Sequence, residues 1–136
     1  MRERSAAVVA VVPDVDGIPV GGRNFRRARW LRHREAGAGA ASDRPQLDQL
    51  VGVAHIIFHR STTLLDDTCY LQDLFTAPAM RGKGVGRQLI EAVYARARDA
   101  GANRVYWQTH ETNATAMRLY DQVAERSGFV VYRKLL

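Results

Sequence analysis

A glycine-rich turn, Arg81-Gly82-Lys83-Gly84-Val85-Gly86, joins a strand-like stretch to a helix-like one, and no other feature of this sequence constrains its fold as tightly. Before the turn, Cys69 to Thr76 (CYLQDLFT) reads as a strand ended by Ala77-Pro78. After it, Val85, Leu89, Ala92, Val93 and Ala97 recur at helical spacing, and Gly101 supplies a stop. A glycine turn at a helix N-terminus is an anion site: unpaired N–H groups and the helix dipole converge there, and residues without a Cβ let a pyrophosphate come close. Arg81, Lys83 and Arg87 add positive charge. Two nucleotide-binding readings fail. No Gly-Lys-Ser/Thr triplet follows, as a Walker A loop requires, and G-x-G-x-x-G is not in frame for a dinucleotide fold. Alone the turn is a weak signal, since such glycines also serve tight turning by itself.

The stretch from Leu50 onward parses cleanly around it. Leu50 to Arg60 (LVGVAHIIFHR) reads as a strand, with a turn over Ser61 to Asp67. Arg104 to Thr109 (RVYWQT) reads as another strand. Asn113 to Arg126 follows as an amphipathic helix closed by Gly128, and Phe129 to Lys134 (FVVYRK) as a final strand. The order strand, strand, helix, strand, helix, strand indicates a mixed α/β (α+β) layer architecture.

Two motifs now stand at a defined separation: the glycine turn, and Asn113-Ala114-Thr115-Ala116-Met117-Arg118-Leu119-Tyr120 with Gly128-Phe129 beyond it. Together they resemble the GNAT N-acetyltransferase superfamily, whose signature is Arg/Gln-x-x-Gly-x-Gly/Ala followed by Asn…Ala…Leu-Tyr…Gly-Phe. The stretch between Tyr120 and Gly128 is about a helical turn longer than in many members. With the run Gln108 to Asn113 it is similar to the histone- and polyamine-type branch. The resemblance covers residues 50–136 and implies an acyl-CoA N-acyltransferase fold, a central mixed sheet flanked by helices. It also implies acetyl transfer from acetyl-CoA to a primary amine, of a small molecule, polyamine or peptide, by direct attack in a ternary complex. By resemblance, a splay between the strand at Cys69–Thr76 and the next leaves main-chain groups of Leu74, Phe75 and Thr76 free for pantetheine. Arg81, Gly82, Lys83, Gly84, Val85, Gly86 and Arg87 would hold the pyrophosphate, with Asn113 and Tyr120 completing the cofactor site.

The chemistry implied sets requirements on side chains. An amine with a lysine-like pKa of ~10.4 is mostly protonated at neutral pH, and supplying its neutral form costs about 4–5 kcal/mol, so a proton acceptor is expected. A tyrosine hydroxyl suits protonation of the departing thiolate, and Tyr120, one turn from Ala116 on one helix face, is the expected acid. Relatives often carry a glutamate where this chain has Gln72, which accepts no proton. Asp73 is adjacent, although strand alternation points it to the opposite face. Glu111 and His110 stand at the end of the next strand, from which water reaches the acceptor. Cys69 reads as a small buried hydrophobe. His55 and His59 alternate with Ile57 on a strand and find no third ligand, so no metal site is expected. Tyr106 and Trp107 read as core and cofactor-wall aromatics.

The 136 residues are expected to form a single domain, with residues 1–48 an atypical N-terminal part and 50–136 the acetyl-CoA-binding core. No apolar run reaches the ~20 residues of a membrane helix. With Cys69 the single cysteine, a reducing, cytoplasmic setting is expected. The net charge of +6 rests almost wholly on arginine. Arg23, Arg26, Arg27, Arg29, Arg32 and Arg34 leave a nucleic-acid-binding module as one alternative, whose blander form is a solvated basic helix, so nucleic acid is not the expected partner. A GNAT-fold protein that binds acyl-CoA with little turnover is the other alternative, given Gln72. In the N-terminal part, Ser5 to Val12 is the expected first strand and Asn24 to Glu35 a helix. Ala36 to Gln46, with Pro45, offers no second strand. The strand at Leu50 is therefore expected to lie at an exposed edge or to recruit a second subunit as a homodimer.

Overall fold

The computed structural model describes residues 51–136 throughout and, at the level of the backbone, the strands at 6–11 and 29–32. The frame is set by two long strands, β3 (Gly52–His59) and β4 (Thr68–Thr76), paired antiparallel. On β3 the residues alternate strictly between buried and half-buried, as a strand with one face on a core must. Ala54, Ile56 and Phe58 point inward beneath helix α1 (Val85–Asp99), which lays Val85, Leu89, Ile90, Val93 and Ala97 over them. Leu71 and Cys69 of β4 complete this layer. Burial pushes the Cys69 thiol up to about 11, so the residue packs as the small hydrophobe expected.

Gly52 is a packing requirement that the sequence pattern hides. A Cβ on it would lie 2.8 Å from Val85 Cγ1 and 2.9 Å from Leu89 Cδ1. The first turn of α1 therefore rests directly on the strand backbone, and this close approach seats the glycine turn at the C-terminal end of β4.

The sheet runs β2-β1-β3-β4-β5, with β1 (Ala6–Val11), β2 (Arg29–Arg32) and β5 (Val105–Tyr106). All pairs are antiparallel except β4 with β5, which is parallel. Helix α2 (Ala114–Val123) follows β5. Among the described residues no helix is long and apolar enough to cross a membrane.

Four expectations need correction. The Leu50 strand is not an edge: β3 pairs on one side with β4 and on the other with β1, from Ala6↔Ile57 to Val11↔Gly52. The expected helix at Asn24–Glu35 contains strand β2, whose Arg29-Trp30-Leu31-Arg32 pairs with β1. Long-range pairing there overrides a local helical spacing, and the segment offers no proline or glycine to oppose it. The rest of that stretch, and Ala36 to Gln46, lie outside the described residues. The strand expected over Arg104–Thr109 pairs only at Val105 and Tyr106, because β4 turns away beyond that point. Finally, the expected strand at Phe129–Lys134 forms no ladder; α2 stops at Val123, Ala124 is extended, and the chain runs on exposed after Gly128.

Candidate active site

The site originates in a miscount between β3 and β4. His55 pairs with Asp73 while the next residue, Ile56, pairs with Leu71, so Gln72 has no opposite number. This bulge bends β4 and reverses the alternation beyond it. Asp73, which simple alternation would turn toward α1, faces instead the side occupied by His55. The His55 Nδ1–H donates to Asp73 Oδ2 at 3.2 Å. His55 Nε2 is buried and has no hydrogen-bond partner among the described residues.

The bulge coincides with the parting of β4 from β5. Their ladder ends at Tyr70↔Tyr106. Beyond it, β5-facing main-chain groups of β4 have no strand partner among the described residues. The gap is a cleft of ≈ 210 Å³ lined by Leu71, Gln72, Asp73 and Leu74 on one side and Trp107, Gln108 and Thr109 on the other, with Asn113 and Tyr120 from the start and middle of α2. Unpaired strand backbone beside a cleft demands hydrogen-bonding partners from a ligand or water, and an extended amide chain supplies them.

Tyr120 is half-buried, with its ring edge-on to Trp107 at 5.3 Å between centroids. Burial raises its hydroxyl above the ordinary tyrosine value, which keeps the proton in place as an acid requires. Asn113 caps α2 by accepting from the Ala116 N–H at 3.4 Å, and its amide donates to Thr109 Oγ1 at 3.2 Å. Asn113 thus fixes the last cleft residue of the β5 side to the helix that carries Tyr120.

At the end of β4, Gly82 and Gly84 have φ of 77° and 84°, the left-handed region that only glycine adopts cheaply. Gly84 is the N-cap of α1 with no side-chain cap. The first intrahelical bond runs from the Gln88 N–H to the Gly84 carbonyl, so the N–H groups of Val85, Gly86 and Arg87 have no acceptor within the helix. The Val85 side chain itself belongs to the core, leaving only its main chain to the turn. Arg81 Nε donates to the Thr76 carbonyl at 3.3 Å, and the Arg87 guanidinium donates to Gln122 on α2. A turn of this shape fits a pyrophosphate, and the parted strands fit the amide chain that leads away from one.

Of the expected site residues, Asp73, Leu74, Asn113 and Tyr120 line one cleft. Phe75 and Thr76 lie further along β4, on the way to the turn. Glu111 is exposed in the turn before α2 and is not part of the cleft lining; neighbouring His110 bonds Thr112 Oγ1 at 2.7 Å. Tyr106 is not core: it sits with His59, whose Nε2 accepts from its hydroxyl at 2.7 Å, and with Tyr70. Trp107 is the wall aromatic. His55 was missed, since its partnership with Asp73 exists only because of the Gln72 bulge.

The acetyltransferase (GNAT) family pattern matches residues 16–124. The chain belongs to this family. A D-amino-acid N-acetyltransferase of Saccharomyces cerevisiae is 36% identical over 96 residues, covering 71% of this chain and 60% of the yeast protein. Among solved structures, an integron cassette protein from the V. cholerae mobile metagenome superposes with a TM-score of 0.60 at 27% identity, covering 67% of this chain and 57% of that one. An aminoglycoside N-acetyltransferase solved in complex with CoA superposes at 0.55 and 20% identity, covering 63% and 59%, and shows the shared fold. The chain spans less than two thirds of the length of each. The short β4–β5 ladder and the left-handed glycines of the turn before α1 are both features of this fold.

Proposed function

We propose that this GNAT chain transfers an acetyl group from acetyl-CoA to a primary amine within a ternary complex. The observation that carries this reading is the coincidence, in one cleft, of parted strands, the Asp73 carboxylate and the Tyr120 hydroxyl. The turn from Arg81 to Arg87 holds the cofactor's pyrophosphate through main-chain N–H groups, and β4 beyond the bulge pairs with its pantetheine. When bound, acetyl-CoA supplies a thioester carbonyl open to attack by an amine.

The chain's own residues then have three tasks. Asp73 takes a proton from the incoming ammonium, directly or through water, while His55 holds its carboxylate in place. The Leu74 main-chain N–H, which points away from β3, offers a hydrogen bond to the oxygen on which negative charge develops, and the fixed strand keeps it aimed in advance. As the C–N bond forms and the C–S bond breaks, Tyr120 would give its proton to the departing sulfur, and the second proton shed by the nitrogen would restore the Tyr120 hydroxyl through water. Kinship with the yeast enzyme favours a small amine such as an amino acid as acceptor.

The test is a mass-spectrometric screen of amino acids, polyamines and lysine peptides incubated with acetyl-CoA and the full chain. Acetylated product that falls by about 10²-fold in Asp73→Asn, at unchanged CoA affinity, is the expected result. CoA binding without any acetylated amine would reduce the protein to an acyl-CoA binder.

A further inference from the structure

Behind the aromatic wall of the cleft, three rings form a circuit of contacts that closes on the helix carrying Tyr120. Tyr94 belongs to α1 and lies outside the cleft lining. Its ring meets the Trp107 indole at 6.5 Å between centroids, tilted by 35°, and Trp107 in turn meets the Tyr120 ring edge-on at 5.3 Å. On the other side, the Tyr94 hydroxyl donates to the Val123 carbonyl at 2.8 Å. Val123 is the last residue of α2, about one turn beyond Tyr120. All four side chains are partly buried against the core cluster.

The circuit matters because α2 buries none of its side chains fully, so no deep core of its own fixes its rotation about its axis. The last carbonyls of a helix find no partner within it, and Tyr94 supplies one for Val123. Edge-on and tilted ring pairs hold a preferred geometry. Tyr94 is itself fixed, since Ile90 and Val93 on the same helix are fully buried. One residue of a rigid helix thus reaches α2 at two points a turn apart, and α2 cannot rotate without breaking one of them. We infer that Tyr94 is a positioning residue for the transfer, aiming the Tyr120 hydroxyl at the departing sulfur through Trp107 on one side and the Val123 carbonyl on the other. The inference rests on the reading of Tyr120 as the acid. Misplacing a reacting group by about 1 Å can cost on the order of 10²-fold in rate, so a device that fixes this angle has a measurable effect.

The experiment compares Tyr94→Leu and Tyr94→Phe, each alone and combined with Tyr120→Phe. Turnover is measured with acetyl-CoA and the fastest acceptor among amino acids, polyamines and lysine peptides. Tyr94→Leu removes ring and hydroxyl together and should lower kcat by about 10–10²-fold at unchanged CoA affinity. Tyr94→Phe keeps the ring on Trp107, loses only the bond to Val123, and should lose a smaller factor. Beside Tyr120→Phe, neither should lower the remaining turnover further, because no hydroxyl is left to aim. Hydrogen exchange without ligand gives a readout apart from turnover: α2 amides should quicken in both variants and α1 amides should not. If Tyr94→Leu proves too unstable to assay, Tyr94→Phe decides alone. Wild-type turnover in the Tyr94 variants, unchanged α2 exchange, a loss that persists beside Tyr120→Phe, or a loss in CoA affinity overturns the inference and leaves the transfer reading standing. Unchanged turnover in Tyr120→Phe alone removes the acid role and the inference with it, and a wild type that acetylates no amine removes the transfer reading as well.

Discussion

Helix α1 starts at the glycine turn and helix α2 lines the cleft through Tyr120, yet the two are held in different ways. α1 buries Val85, Leu89, Ile90, Val93 and Ala97, three of them with no measurable exposure. α2, which carries Tyr120, buries none of its side chains fully. Its attachments are few and separate: Leu119 against Gly86, the Tyr94 hydroxyl on the Val123 carbonyl at 2.8 Å, the Arg87–Gln122 bond and the Trp107–Tyr120 ring contact. The difference teaches where rigidity is needed. On the proposed reading, a turn that holds phosphate needs its N–H groups aimed in advance, and it sits on the helix with the deepest core. A helix that would deliver one hydroxyl to a departing sulfur tolerates small adjustments and is held by these few contacts.

The largest effect expected from this division is chemical. Tyr120→Phe keeps the ring packing and removes the proton donor, so kcat should fall by about 10²–10⁴ while CoA affinity holds. In the wild type the acid form is lost as pH rises through the Tyr120 pKa, which burial has raised. The alkaline limb of kcat should therefore lie above pH ~10. Unchanged turnover would move the acid role elsewhere and strip α2 of its function.

Stability should divide in the same direction. Leu89→Ala, fully buried in α1, should cost about 2–5 kcal/mol in denaturant unfolding, and Leu119→Ala in α2 clearly less. Equal costs would break the comparison. Gly52→Val should cost about 1–3 kcal/mol by forcing α1 off the strand it rests on; a neutral outcome would mean that α1 is not seated as described. Smallest is Tyr94→Phe, about 0.5–1.5 kcal/mol. Its signature should be faster hydrogen exchange in α2 with α1 unaffected, and a uniform acceleration would make the two helices one cooperative unit.

Local pattern carried much of this into the sequence. Strict alternation marked β3, helical spacing marked α1, and the glycine turn marked where α1 begins, because each is written in neighbouring residues. Tyr120 is a candidate from motif spacing, whereas Asp73 is one only as the acid beside Gln72. What stayed hidden depends on pairing between distant segments. The bulge at Gln72 is set by register against His55, so neither the direction of Asp73 nor the role of His55 follows from alternation. Strand β2 owes its state to β1, and the tail after Gly128 has strand composition without a strand partner among the described residues. Gly52 carries no local sign of the helix lying on it.

The central claim is that the turn from Arg81 to Arg87 holds the pyrophosphate of CoA, and thermal unfolding with and without CoA tests it most directly. Saturating CoA should raise the wild-type melting temperature by mass action, by an amount growing with the logarithm of its concentration. Gly84→Glu puts a carboxylate at the helix N-cap, at a φ of 84° that glycine alone takes cheaply. The variant will melt lower by itself, so the quantity that decides is the CoA-induced shift, which should vanish. A wild type whose melting temperature does not respond to saturating CoA, or a Gly84→Glu variant with the full wild-type shift, would contradict the account.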